Sequence, residues 1–64
     1  MGVFVVRIGE KYGLLDENGK YLIEPELDEV ENPLKDDLLQ LSKVGKLAYF
    51  NLKTRSFVWK ENGF

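Results

Sequence analysis

Apolar and polar residues alternate over short stretches of this chain, and turn-forming residues recur at close intervals. That rhythm predicts strands rather than helices. Residues 3–8 form a β-branched run in which Phe4, Val6 and Ile8 share one face and Val3, Val5 and Arg7 the other. Gly9-Glu10 makes a turn, residues 12–16 form a second strand and residues 20–24 a third. Between those two lies Asp16-Glu17-Asn18-Gly19, in which Asn-Gly supplies two residues tolerant of positive φ, as a tight hairpin needs.

The pattern changes from residue 25 to residue 37. Pro25 and Pro33 exclude a central strand and bias their predecessors toward extended backbone. The segment is expected to be a loop crossing the domain, pinned by Leu27, Val30 and Leu34. Strands resume over residues 38–43, turn at Val44-Gly45, run over residues 46–52, turn at Lys53-Thr54 and finish over residues 56–60. The last residues, Glu61-Asn62-Gly63-Phe64, are expected to fray.

Sliding the chain against itself by 35 residues aligns the two halves without a gap. Val3, Phe4 and Val6 fall on Leu38, Leu39 and Leu41, Lys11 on Lys46, and Leu14-Leu15 on Tyr49-Phe50. Asp16 falls on Asn51, Lys20 on Arg55, and Leu22-Ile23 on Phe57-Val58. The expected fold is therefore all-β: two three-stranded antiparallel meanders, residues 3–24 and 38–60, joined by the acidic loop 25–37. Packed together as one domain over residues 1–64, they would make a small barrel or a sandwich.

The stretch from Gly9 to Pro25 resembles the WG-repeat family of bacterial proteins, whose unit reads roughly Gly-Lys-Trp-Gly-hydrophobic-Ile-Asp-x-x-Gly-Lys-x-hydrophobic-Ile-x-Pro. Residues 11–25 match it, with Tyr12 in place of the signature Trp. In the second half Lys46-Leu47-Ala48 stands for Lys-Trp-Gly, and Thr54 stands for the turn glycine. The resemblance implies a β-rich module without known catalytic residues.

Composition narrows the chemistry. A chain of 64 residues buries only about 60% of the surface its unfolded form exposes, and domains of this size usually rely on a staple or a partner. With no cysteine and no histidine, disulfides, thiolate sites and most transition-metal sites are excluded, and no cofactor is expected. Ser42, Ser56 and Thr54 have no histidine to activate them, and Gly9-Glu10-Lys11-Tyr12-Gly13 has the wrong spacing for a phosphate loop. The chain is expected not to be an enzyme. Apolar runs such as Val3 to Val6 are far too short to span a membrane, and the N-terminus lacks a signal-peptide pattern, so a cytoplasmic location is expected.

Charge is the most distinctive feature. The net charge is only −2, but between residues 24 and 37 stand Glu24, Glu26, Asp28, Glu29, Glu31, Asp36 and Asp37 against the single base Lys35. From residue 38 onward five bases face one acid, Glu61. The acidic residues, with Trp59, are the expected partner-binding site: an inhibitor or adaptor docking an acidic patch on a basic protein surface. Trp59 joins them because its repeat mate is Glu24, which should face solvent. The other aromatics of the second meander are expected in the core. A homodimer through edge strands is a further expectation. The alternative is a weak single-stranded nucleic-acid binder using Lys46, Lys53, Arg55 and Trp59; with no overall positive field, nucleic acid is the less favoured partner.

Overall fold

The computed structural model describes residues 2–31 and 37–64 and contains two antiparallel sheets. Sheet A holds β1 (Phe4–Ile8), β2 (Lys11–Leu15) and β3 (Tyr21–Leu27) in sequence order. Sheet B holds β4 (Glu29–Glu31), β5 (Leu38–Lys43), β6 (Lys46–Asn51) and β7 (Ser56–Lys60), also in sequence order. Leu14 and Leu27 from sheet A meet Leu39, Leu41 and Phe50 from sheet B in one buried cluster. The two sheets pack across that core without closing into a barrel, which removes the barrel alternative.

The turns follow local chemistry. Ile8 pairs with Lys11 across a two-residue loop whose first residue, Gly9, has φ +65°. Lys43 pairs with Lys46 across Val44 and Gly45, both at positive φ, as a primed turn requires. The Asn-Gly turn is wider than expected. Only Gly19 takes positive φ there; the Asp16 N–H donates to the Lys20 carbonyl (2.8 Å) and the Gly19 N–H to the Asp16 carbonyl (3.1 Å). This is a three-residue loop capped by the Asp16 carboxylate, which accepts from the N–H groups of Asn18 (2.8 Å) and Lys20 (2.9 Å). Asn51 does the same work in the β6–β7 turn, accepting at Oδ1 from the N–H groups of Lys53 (2.7 Å) and Thr54 (3.0 Å).

The segment expected to be a loop is mostly strand. β3 runs on through Pro25 to Leu27, and β4 adds a fourth strand to sheet B, so the second sheet is not a simple three-stranded meander. Proline is tolerated because Pro25 falls in the bulge of β3 between the Leu14–Ile23 and Tyr12–Leu27 pairs, where a missing N–H breaks no regular ladder. β3 and β4 amount to one strand bent at Asp28 that passes from one sheet to the other. Leu27 and Val30 pin it to the core as expected; Leu34 and Asp36 lie outside the described residues.

Asp28 holds the corner. Its N–H donates to the Ser42 carbonyl (2.7 Å), its Oδ2 accepts from the Val44 N–H (2.7 Å), and its Oδ1 pairs with the Lys11 ammonium. At the far end Arg55 Nη2 donates to Glu17 Oε1 (2.7 Å), linking the β2–β3 turn to the β6–β7 turn. The C-terminus does not fray. The Glu61 N–H bonds the Leu47 carbonyl (2.8 Å), and Phe64 folds back to lie edge-on against Phe57, 5.8 Å between centroids, beside the core.

Candidate functional site

Sheet B presents two faces of opposite character. Leu39, Leu41, Ala48 and Phe50 point into the core, so the alternate positions Gln40, Ser42, Leu47 and Tyr49 point out. Register extends this outer face to both edges. Glu31 pairs with Gln40, Gln40 with Tyr49 and Tyr49 with Trp59, which sets Glu31, Gln40, Tyr49 and Trp59 in one row across all four strands. A parallel row carries Glu29, Ser42 and Leu47.

Contacts along the row confirm the shared face. The Tyr49 hydroxyl donates to Gln40 Oε1 (3.2 Å), and the Tyr49 and Trp59 rings lie 6.0 Å apart at 40°. That contact holds the two rings together and leaves Tyr49 half-buried and Trp59 49% exposed. Adjacent strands lie about 4.8 Å apart, so the row spans roughly 14 Å from carboxylate to indole. Glu29 and Glu31 are exposed and form no ion pair among the described residues. Carboxylates at one end and two aromatic rings at the other both attract cations, the first by charge and the second through the ring quadrupole.

The remaining acids are elsewhere. Glu24 and Glu26 line a groove between β3 and β7 that also holds Lys43, Lys60, Phe57 and Phe64. Glu26 sits 3.6 Å from Lys43 Nζ. Asp37 lies 4.0 Å from Lys53 Nζ. Asp28 is occupied at the corner, and the bond from Lys11, then that from the Val44 N–H, holds its carboxyl below the ordinary 3.8. Among the described residues the acidic segment is thus not one patch: the fold sets Glu29, Glu31 and Trp59 on one face and puts Glu24, Glu26, Asp28 and Asp37 to internal use or on another side.

The bases named for nucleic-acid binding do not share the Trp59 face. Arg55 is engaged by Glu17, Lys53 stands in the β6–β7 turn, and the Lys46 side chain passes within 3.5 Å of the position a Cβ would take at Gly63. The other aromatics of the second meander are less buried than expected: Phe50 is in the core, but Tyr49 is half-buried on the outer face and Phe57, on the edge strand β7, is exposed. Trp59, expected to face solvent, is exposed.

Sequence reading missed Gln40 and Tyr49 as members of the site. The usable signal was strand parity: both alternate with buried leucine, alanine and phenylalanine. Register, which decides that they line up with Glu31 and Trp59, was not readable. Among the described residues no group of three or more carboxylates converges as a metal cage, and none forms a helix long and apolar enough to cross a membrane. Comparison with protein-family models, curated proteins and solved structures finds no match.

Proposed function

We propose that this chain is a non-enzymatic protein–protein interaction domain, an inhibitor or adaptor that docks the outer face of sheet B on a basic surface of a partner protein. The row from Glu31 through Gln40 and Tyr49 to Trp59 carries the reading. Trp and Tyr supply large contact area at low entropic cost, and exposed glutamates steer a basic partner into register. The aromatic–basic combination that single-strand binding needs is not assembled on this face.

Trp59 is the chain's single tryptophan and so reports directly on the site. Titration with an arginine-rich peptide is expected to shift its emission, with an affinity that falls as salt rises. Glu29→Lys with Glu31→Lys is expected to abolish the response. A shift with single-stranded oligonucleotide and none with the basic peptide would reverse the assignment in favour of nucleic acid.

The same reading treats the halves as diverged copies of one unit of the WG-repeat type. Three correspondences support it: bulges beside Leu14-Leu15 and beside their mates Tyr49-Phe50, side-chain-capped turns at Asp16 and Asn51, and small residues at Gly13 and Ala48.

A further inference from the structure

An edge strand exposes unpaired backbone groups, and proteins usually guard such edges with proline, charge, bulges or short length. Among the described residues, three of the four sheet edges are guarded. β3 carries Pro25 between Glu24 and Glu26, β4 is three residues long with two glutamates, and β7 is bulged and ends in Lys60. β1 is the least guarded of the four. It pairs with β2 in regular register over its whole length, its other side pairs with nothing among the described residues, and its only charge is Arg7. Phe4 and Ile8 on its outer face are each 56% exposed, and Val5 on the other face is 49% exposed.

We propose that β1 is a self-association edge, pairing antiparallel with β1 of a second copy about a two-fold axis at Val6. The hydrogen-bond phase selects this register. The two-residue loop makes Ile8 and Lys11 a hydrogen-bonded pair, so the amides and carbonyls of Phe4, Val6 and Ile8 point to β2, and those of Val5 and Arg7 point to the free edge. Centred on Val6, Val5 of each copy exchanges hydrogen bonds with Arg7 of the other, and Phe4 lies opposite Ile8. Centring on Arg7 instead would oppose like charges, and centring on Val5 would leave Ile8 unpaired. A second copy fits because the interface is self-complementary, apolar against apolar, as a two-fold contact must be. It also answers the small core: among the described residues six hydrophobic ones are buried, and large ones such as Phe4 and Ile8 are left outside. The association uses the edge of sheet A and does not rest on the proposed function; of the β1 residues, Val5 shares a groove with Glu29 and Glu31.

Sedimentation equilibrium on the intact chain is expected to show a concentration-dependent rise toward twice its 7.4 kDa mass. Hydrogen exchange should show the Val5 and Arg7 amides slowing as the dimer fills. Val6→Lys, on the outer face at the axis, is expected to weaken association about tenfold or more through like-charge opposition. Val5→Pro removes an N–H aimed at the free edge and should do the same, with circular dichroism checking that both variants keep their strands. Three results would overturn the proposal: a monomer at millimolar concentration, Val5 and Arg7 amides already protected in a dilute monomer, or a dimer indifferent to both substitutions. Should both variants unfold, wild-type exchange at two concentrations decides alone.

Discussion

The sheets share a strand–turn–strand plan and differ in which face they bury. Sheet B sends Leu39, Leu41, Ala48 and Phe50 inward and shows solvent amide, hydroxyl, carboxylate and aromatic groups. Sheet A sends Leu14 and Leu27 inward and leaves Phe4, Ile8 and Tyr21 outside. Part of the cause is Gly13. A Cβ there would come within 2.8 Å of the Ile23 carbonyl oxygen and 3.0 Å of Pro25 N, so the bulged β3 backbone fills the space a side chain would take. Ala48, its counterpart, has room for a methyl and is fully buried. One sheet is closed by side chains and the other partly by its own backbone. Burial in this fold therefore follows the bulges as much as the hydrophobic pattern.

The sharpest way to break the comparison is to remove one leucine from each inner face. Leu14→Ala and Leu41→Ala are each expected to cost about 2–5 kcal/mol, against little for Phe4→Ala, read from urea midpoints. Similar losses for Phe4 and Leu14 would mean that the outer face of sheet A is covered. Next comes Gly13→Ala, expected to destabilise by about 1–3 kcal/mol because backbone cannot step aside as a side chain can. If Gly13→Ala is neutral, the close approach of β3 is not a constraint.

Val44 sharpens the comparison of turns. It holds φ +50° in a β-branched residue and is 79% exposed, whereas Gly9 occupies the equivalent place in sheet A without strain. Val44→Asn is expected to stabilise the chain by about 1 kcal/mol, seen as a raised thermal midpoint. Gly9→Val is expected to have the opposite sign.

The smallest effect at neutral pH concerns the corner. Asp28, Asp16 and Glu17 are all held below their ordinary values of 3.8, 3.8 and 4.5: Asp28 chiefly by Lys11, Asp16 by the Lys20 N–H, and Glu17 by its own N–H and then Arg55. A carboxylate with a depressed folded value contributes stability above its unfolded pKa and loses it as pH falls through the folded one. Unfolding followed from pH 6 down should show stability declining once pH drops below about 4.5. Asp28→Asn should flatten that decline while keeping the Val44 bond; an unchanged profile would mean the corner does not depend on charge.

Much of the fold was legible. The strands over residues 38–43 and 56–60 matched their observed limits, and four others fell within a few residues, because short-period alternation and turn residues are local signals. β4 was missed because Pro25 and Pro33 and the density of acid read as loop, while three residues of strand carry almost no periodicity. Fraying was expected of Phe64 because a terminal position says nothing of the hydrophobic groove waiting for it. For the site, Glu29, Glu31 and Trp59 stood out by charge and by repeat position. Nothing local separated them from Glu24, Glu26, Asp28 and Asp37, which the fold sends elsewhere.

By itself, the sequence determined that this chain is an all-β domain without disulfides, and where most of its hairpins turn. Those properties rest on backbone preferences and composition, which act over a few residues. Only the tertiary structure decided that β3 bends at Asp28 into a second sheet, which edges are left open, and that Glu31, Gln40, Tyr49 and Trp59 form one row. Each of those depends on strand register between distant segments, and a shift of one residue would turn every such side chain to the opposite face.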